Sequence, residues 1–320
     1  MTYYKFVGKM TAMKKSLCCI SLQLQEKGFK ANTMTKTRFL SLERKNALST
    51  ISQRTLNNVN VAVNTFSLCA SKGWNYRISS DLFPLATLPE ANLSFDVLTD
   101  KDRIYNEFKR GAEIIKKNNL RCSTHPDQFV VPASVTKTVV EKSIVELKNH
   151  ASIMDLFGLP QTYESPINIH MNIYKGGTKE IAKRFIDVYN DLPINVKSRL
   201  VLENEDKPNS WKVEELYELI YSNTGIPITY DNLHFRCNPG KLSAKDAVKL
   251  CVSTWGKYRP LFHFSDNDIA NKNPRAHGDY VRSIPEEYVD LDVDFEFEFK
   301  AKDYALDRFE KEFEKELKNS

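Results

Sequence analysis

The sequence predicts an α/β fold, a single (β/α)8 barrel with a C-terminal amphipathic helix, on three observations. Eight short β-type runs alternate with amphipathic helical runs over nearly the whole chain, and strands that alternate with helices imply a parallel sheet. Five histidines and three acids stand at or near the ends of such runs, separated by intervals of one strand plus one helix. A chain that returns to a polar group at the ends of successive strands converges those groups on one face of a barrel. Finally, 320 residues suffice for one barrel of roughly 250 residues with extensions.

Residues 1–15 read as an N-terminal extension, 16–303 as the barrel and 304–320 as a helix packed on it. The strand candidates are 16–22, 74–80, 120–125, 166–171, 199–204, 227–233, 260–265 and 294–300, bounded by turn residues and rich in β-branched and aromatic side chains. The helical run 51–73 closes at Gly73, a residue suited to the left-handed position after a helix, and the run after Thr99 has a capping hydroxyl there. Runs at 137–158, 177–192, 212–223 and 243–256 carry apolar residues at three and four spacing. Leu306, Phe309, Phe313 and Leu317 form one stripe of the last helix.

Composition is that of a water-soluble enzyme, with 41% apolar and 27% charged residues. No apolar run approaches the roughly 20 residues that span a bilayer, and the first residues lack the apolar segment of a signal peptide. An intracellular location, cytoplasmic or nucleoid, is expected. The six cysteines form no CxxC pair and read as buried reduced thiols. A net charge of +5 admits a polyanionic partner.

The candidate metal ligands are His125, His170, Glu203, Asp231, His234, His263, His277 and Glu298. A lone strand-end histidine is ordinarily a structural residue, but five with three acids at this spacing form a ligand inventory. Neutral imidazoles and carboxylates suit manganese or zinc, and a carboxylate such as Glu203 can bridge two cations. Paired cations can activate a water and stabilise a leaving oxygen. His150 lies in a helical run among apolar residues and is left out. Tyr76, Arg77 and Asp81 stand where a strand run ends, either to contact a polyanion backbone or simply to end the strand and shape the loop. Phe129 has both a surface and a core reading, whereas Gln128 beside it does not belong in a core.

The segments THPDQFVV (124–131), NIH (168–170), LENEDK (202–207), YDNLH (230–234), HFSD (263–266), RAH (275–277) and EFKAKD (298–303), with YRISSDLFPL (76–85), resemble the motif set of UV damage endonucleases. The likeness runs from about Ser16 to Lys302. It implies a barrel like that of endonuclease IV and xylose isomerase, holding two or three divalent metals, typically Mn2+, with Zn2+ or Mg2+ as alternatives. It implies nicking of damaged double-stranded DNA immediately 5′ of cyclobutane dimers, 6-4 photoproducts and some abasic sites, by a monomer. The eight residues above fall on the family's ligand positions, and Glu203, His125 and His263 are the expected catalytic set. Gln128 and Phe129 fall where the family wedges a Gln and an aromatic residue into the duplex, and Tyr76 and Arg77 complete the expected DNA contacts.

The chain departs from the family's pattern at Leu261, in place of a lysine, at Phe235, in place of a second histidine, at Leu17 and Ser21 in the first strand, and after His170, where Gly176 and Gly177 are displaced downstream. Two other readings remain at this point. A sugar isomerase or epimerase of the xylose isomerase type would use the same strand-end ligands around a small closed pocket. A non-catalytic binder of DNA damage would keep the basic surface and lose ligands.

Overall fold

The computed structural model describes residues 13–173 and 178–319, with side chains described up to residue 312. Residues 1–12 of the expected N-terminal extension, Gly176 and Gly177, and the side chains of Phe313 and Leu317 lie outside the described residues.

Eight parallel strands are present: β1 (Lys15–Cys18), β2 (Asn75–Ile78), β3 (Cys122–Thr124), β4 (Ile167–Ile169), β5 (Leu200–Glu203), β6 (Ile228–Thr229), β7 (Leu261–Phe264) and β8 (Asp294–Phe297). Each strand pairs with its sequence neighbour, and β8 returns to β1, in the register Lys15 to Phe295 and Leu17 to Phe297. The ring is nearly closed. Between β6 and β7 no ladder forms, and the join is one bridge, Asp231 with His263, reinforced by the His263 amide donating to the Tyr230 carbonyl at 2.9 Å.

The strands are shorter than the sequence runs, and one candidate is corrected. Residues 227–233 do not form one strand: the chain leaves β6 at Thr229, and Asp231 caps a short helix, Asn232–Cys237, by accepting from the His234 amide at 2.7 Å. The first long helix, Arg44–Lys72, begins earlier than its run and ends at Gly73, whose φ of 70° confirms the left-handed exit. Helix Lys101–Asn118 is capped by Asp100 rather than Thr99, with Asp100 hydrogen-bonded to Ser52.

Strand alternation explains the core. Phe295 and Phe297 of β8 face outward, where Phe264, Tyr288 and Phe309 pack on them at ring distances of 4.6 to 6.1 Å. Burial of each such ring stabilises by about 1.5–3 kcal/mol. The alternate residues Asp294 and Glu296 face inward, so the barrel interior is a stack of polar layers. In the lowest, Asp294 accepts from Arg121 at 3.0 Å and Arg259 at 2.7 Å. Glu296 joins Arg77 and Ser123 above it.

The final helix, Lys302–Asn319, packs on its own barrel: Ala305, Leu306 and Phe309 are buried, and Trp74 donates its indole hydrogen to Glu310 at 2.8 Å. Asp303, at its start, accepts from the Ser21 hydroxyl and from the Leu22 and Gln23 amides, which ties it to the turn after β1. All six cysteines are free, with Cys19 and Cys237 half-buried rather than buried. Among the described residues no helix is long and apolar enough to cross a membrane.

Candidate metal centre

The strand ends deliver the ligands to one place. His125 follows β3, His170 follows β4, Glu203 ends β5, Asp231 and His234 come from the turn and short helix after β6, His263 lies within β7, and Glu298 follows β8. Their donor atoms form three overlapping triads, each within 4.8 Å: His125, His170 and Glu203; Glu203, Asp231 and His234; Asp231, His263 and Glu298. Glu203 belongs to two triads and Asp231 to two, so either carboxylate can be shared between neighbouring ions.

Backbone partners fix which nitrogen each ring offers. A main-chain carbonyl can only accept, so a histidine nitrogen beside one must carry the proton. His125 Nδ1 donates to the Pro126 carbonyl at 3.0 Å, His234 Nδ1 to that of Asn204 at 3.0 Å, and His277 Nδ1 to that of Glu298 at 2.7 Å. His125 Nε2 stands 3.1 Å from Glu203 Oε2, and in the neutral ring it would be a second acceptor there. Two acceptors at that distance repel unless positive charge stands between or beside them.

Further lone pairs in the same volume are orphaned. Glu203 Oε1, Asp231 Oδ2, His170 Nδ1 and His263 Nδ1 are buried without a hydrogen-bond partner. Buried polar atoms are ordinarily satisfied, so a concentration of orphaned acceptors marks the place of a cation. The residues fit a divalent metal by this test, and the mixture of imidazole and carboxylate suits Mn2+ or Zn2+.

The electrostatics agree. Burial works to raise the Glu203 carboxyl, but the imidazoles of His263 and His170 and the bonds from His125 and His234 outweigh it and hold it well below the usual range. Burial lowers His263 and His234, while Glu203 and Glu298 around the former and Asp231 and Glu203 around the latter raise both above the ordinary value. The carboxylates thus draw positive charge into the pocket, as protons on these two rings or as a cation in their place. His170 is pushed down to about 3 by burial, against the pull of Glu203, and is a neutral ligand at physiological pH.

Not every expected residue sits where the sequence suggested. Tyr76 is corrected: it is 2% exposed, stacks edge-on against Phe66 at 5.5 Å, and donates its hydroxyl to the Cys19 carbonyl at 2.7 Å. It holds the end of β1, where Cys19 adopts a φ of 69°, and presents nothing to DNA. Arg77 is turned inward as well, pairing with Glu296 at 2.9 Å and with Glu298. Gln128 and Phe129 are exposed, Phe129 by 78%, which excludes the core reading. The turn closed by the Val130 amide on the Asp127 carbonyl at 3.0 Å throws both side chains outward. They line an open cleft of about 610 Å³ together with His125, His170, Glu298, Asp81 and Lys302.

Glu296 was missed, although the alternation of DFEFEF puts it on the same strand face as Asp294. It is 1% exposed, and although burial works to raise its carboxyl, Arg77 foremost holds it at about 2. Asn168 was missed too: its amide donates to Glu203 Oε2 at 2.5 Å. At the departures, Leu261 is buried two residues below His263, Phe235 packs on Tyr230 at 5.4 Å, and Ser21 is committed to Asp303 and to capping the helix Leu22–Glu26. His150 is buried in its helix beside Glu146, outside the cluster.

Comparison with known proteins follows the same lines. The family profile for UV-endonuclease UvdE matches residues 14–319. A UV DNA damage endonuclease of Nostoc sp. is 31% identical over 283 residues, covering 85% of this chain and 82% of its own. The crystal structure of SacUVDE superposes with a TM-score of 0.76 at 32% identity, over 92% of this chain and 95% of that one. Endonuclease IV of Thermus thermophilus, 17% identical with a TM-score of 0.55 over 79% and 94% of the two chains, shares the fold. With fold and sequence in agreement, the chain belongs to the UV-endonuclease UvdE family.

Proposed function

We propose that this chain is a metal-dependent DNA repair endonuclease that nicks damaged duplex DNA 5′ of UV photoproducts, cyclobutane dimers and 6-4 photoproducts among them, and of some abasic sites. Family membership supports the repair-endonuclease reading, and one observation carries the metal dependence: seven histidines and acids from different strand ends bring their donor atoms into three triads, each within 4.8 Å.

Two or three divalent cations, Mn2+ before Zn2+ or Mg2+, would be held by His125, His170, Glu203, Asp231, His234, His263, His277 and Glu298. Bound there, they supply Lewis acidity that activates water and stabilises the leaving oxygen of the phosphodiester. The chain's own part is to fix the geometry. Glu203 sits at the shared corner of two triads, Asn168 orients its carboxylate, and His125 and His263 fix the flanks. His277, on the rim, is aimed by the Glu298 carbonyl.

Phe129 and Gln128 stand exposed beside the centre, which fits a macromolecular substrate better than a sugar in a closed pocket. Opening the base stack costs a few kcal/mol, least at a damaged pair, and a ring stacked on the freed base returns roughly 1–3 kcal/mol. The reading includes a monomer acting inside the cell. It is tested by incubating the purified protein with Mn2+ and a duplex carrying one defined photoproduct and mapping the cut. A cut at the phosphodiester 5′ of the lesion that disappears on chelation is expected, and an uncut duplex in excess Mn2+ overturns the proposal.

A further inference from the structure

We infer that Glu296 is a positioning residue that fixes His263 with its proton on Nε2, so that this histidine turns Nδ1 toward the metal centre. The inference rests on the metal-dependent reading above. The Nδ1 of His125 and of His277 is tied to a main-chain carbonyl, and that of His234 lies between the Asn204 carbonyl at 3.0 Å and Glu203 Oε1 at 2.9 Å. His263 is reversed. Its Nε2 faces Glu296 Oε2 at 3.1 Å, and its Nδ1 faces the cluster, 3.1 Å from Glu203, 3.4 Å from Glu298 and 4.0 Å from Asp231.

Glu296 lies within 4.8 Å of Cys18 and Glu298 as a possible ligand group, but both its oxygens are already engaged. It is 1% exposed, one oxygen accepts the Ser123 hydroxyl, and the other accepts from Arg77 at 2.9 Å as well as from His263. Arg77 also pairs with Glu298, so its guanidinium fills the gap between the two glutamates. The amide nitrogen of Asn168 lies 3.3 Å from the same Nε2 and gives one of its two hydrogens to Glu203 at 2.5 Å, but the Glu296 carboxylate is nearer to Nε2, at 3.1 Å. A carboxylate only accepts, so the Nε2 proton of His263 follows from Glu296. A carboxylate behind a metal-ligating histidine sets its tautomer and ring orientation, and loss of such a partner typically costs 10–100-fold in metal affinity.

The geometry thus assigns Arg77, Glu296 and Ser123 as a support under one ligand, with Glu296 and Ser123 buried and Arg77, at the floor of the cleft, pairing with both glutamates. The ring is held from beneath before any cation arrives, and no tautomer exchange is needed on binding.

The test uses the full-length chain. Nitrogen-15 correlation spectra of the Zn2+-loaded, diamagnetic protein report which imidazole nitrogen carries hydrogen, and titration against the electron paramagnetic resonance signal of free Mn2+ reports affinity. In the wild type, His263 should show Nε2–H with Nδ1 coordinated. Glu296→Leu should lose that signature and weaken Mn2+ binding by about 10–100-fold, whereas Glu296→Gln, which keeps an acceptor oxygen, should weaken it by less than about ten-fold. His263 bearing its proton on Nδ1 in the metal-loaded wild type overturns the inference, and so does a folded Glu296→Leu protein with wild-type affinity. The wild-type spectrum decides the matter even where the Leu variant does not fold. A wild-type chain that binds neither Mn2+ nor Zn2+ overturns the metal reading as well, which separates the two failures.

Discussion

Asn168 donates its side-chain amide to Glu203 across adjacent strands at 2.5 Å, beside the imidazoles that ring the same carboxylate. The bond orients Oε2 toward His125 and His263, each 3.1 Å away. Replacing Glu203 by Gln keeps the shape and removes the charge that balances shared cations. Incision should fall by at least 10–100-fold, the range for damaged metal sites, with less metal retained after dialysis. Excess chelator should abolish incision by the wild type and Mn2+ should restore it. Full activity in chelator would sink the metal dependence.

Phe129 and Gln128 are predicted to act on lesions and not on the fold. Since Phe129 is 78% exposed, Phe129→Ala should change stability by no more than about 0.5 kcal/mol. Binding to damaged duplex should weaken about ten-fold, from loss of stacking worth roughly 1–3 kcal/mol. Affinity for undamaged duplex, set mainly by phosphate contacts, should hardly move. A double Gln128→Ala, Phe129→Ala protein that keeps the wild-type preference for damaged DNA would place recognition elsewhere.

Tyr76→Phe should show the opposite pattern. Its hydroxyl bonds to the Cys19 carbonyl at 2.7 Å, and loss of such a bond costs about 1 kcal/mol. Denaturant titration should report that loss, while binding to both duplexes stays at the wild-type level. A selective fall in damaged-duplex affinity would restore the DNA-contact role that burial argues against.

Asp303→Ala should loosen the wall of the cleft. Asp303 holds the Ser21 hydroxyl and two amides of the turn after β1, and Cys19 and Ile20 of that turn line the cleft. A stability loss of about 1–3 kcal/mol, with a larger effect on KM for damaged duplex than on metal content, is the expected outcome. Unchanged thermal unfolding would show that the helix Lys302–Asn319 docks without this anchor.

Much of this centre is legible in the sequence because barrel strands are read at one end. His125, His170, Glu203, His263 and Glu298 stand in or just after short apolar runs, and the parallel topology turns that position into proximity. Asp231 and His234 were found for a partly wrong reason: their spacing of three belongs to a helix cap, where the acid side chain accepts the third amide onward. What escaped was the inside of the barrel. Tyr76 looks like a surface aromatic until the turn at Cys19 is known to fold over it, and that turn depends on a left-handed residue that no propensity singles out. Glu296 escaped because a strand with an acid at every second position reads as half solvated, whereas here the polar face points into a sealed interior and is neutralised by arginines from β2 and from residues preceding β3 and β7. Period alone reports which residues share a face, not what lies beyond it.

The open seam between β6 and β7 has a mechanical consequence. The hoop of strands is joined there by one backbone bridge and the paired bonds of Asn232 with the Ser265 backbone, and both residues of the bridge, Asp231 and His263, belong to one triad with Glu298, just after the next strand. A cation seated in that triad would clamp the weakest joint of the hoop, so loading the centre and tightening the barrel become one event. Stripped of metal, the protein should unzip first at this seam: amide hydrogens of Asp231 through Phe235 and of His263 should exchange faster in chelator than those of β2 and β3. The stability of the fold and the readiness of the catalyst would then rise and fall with the same free-ion concentration, which makes the barrel its own gauge of whether it is armed.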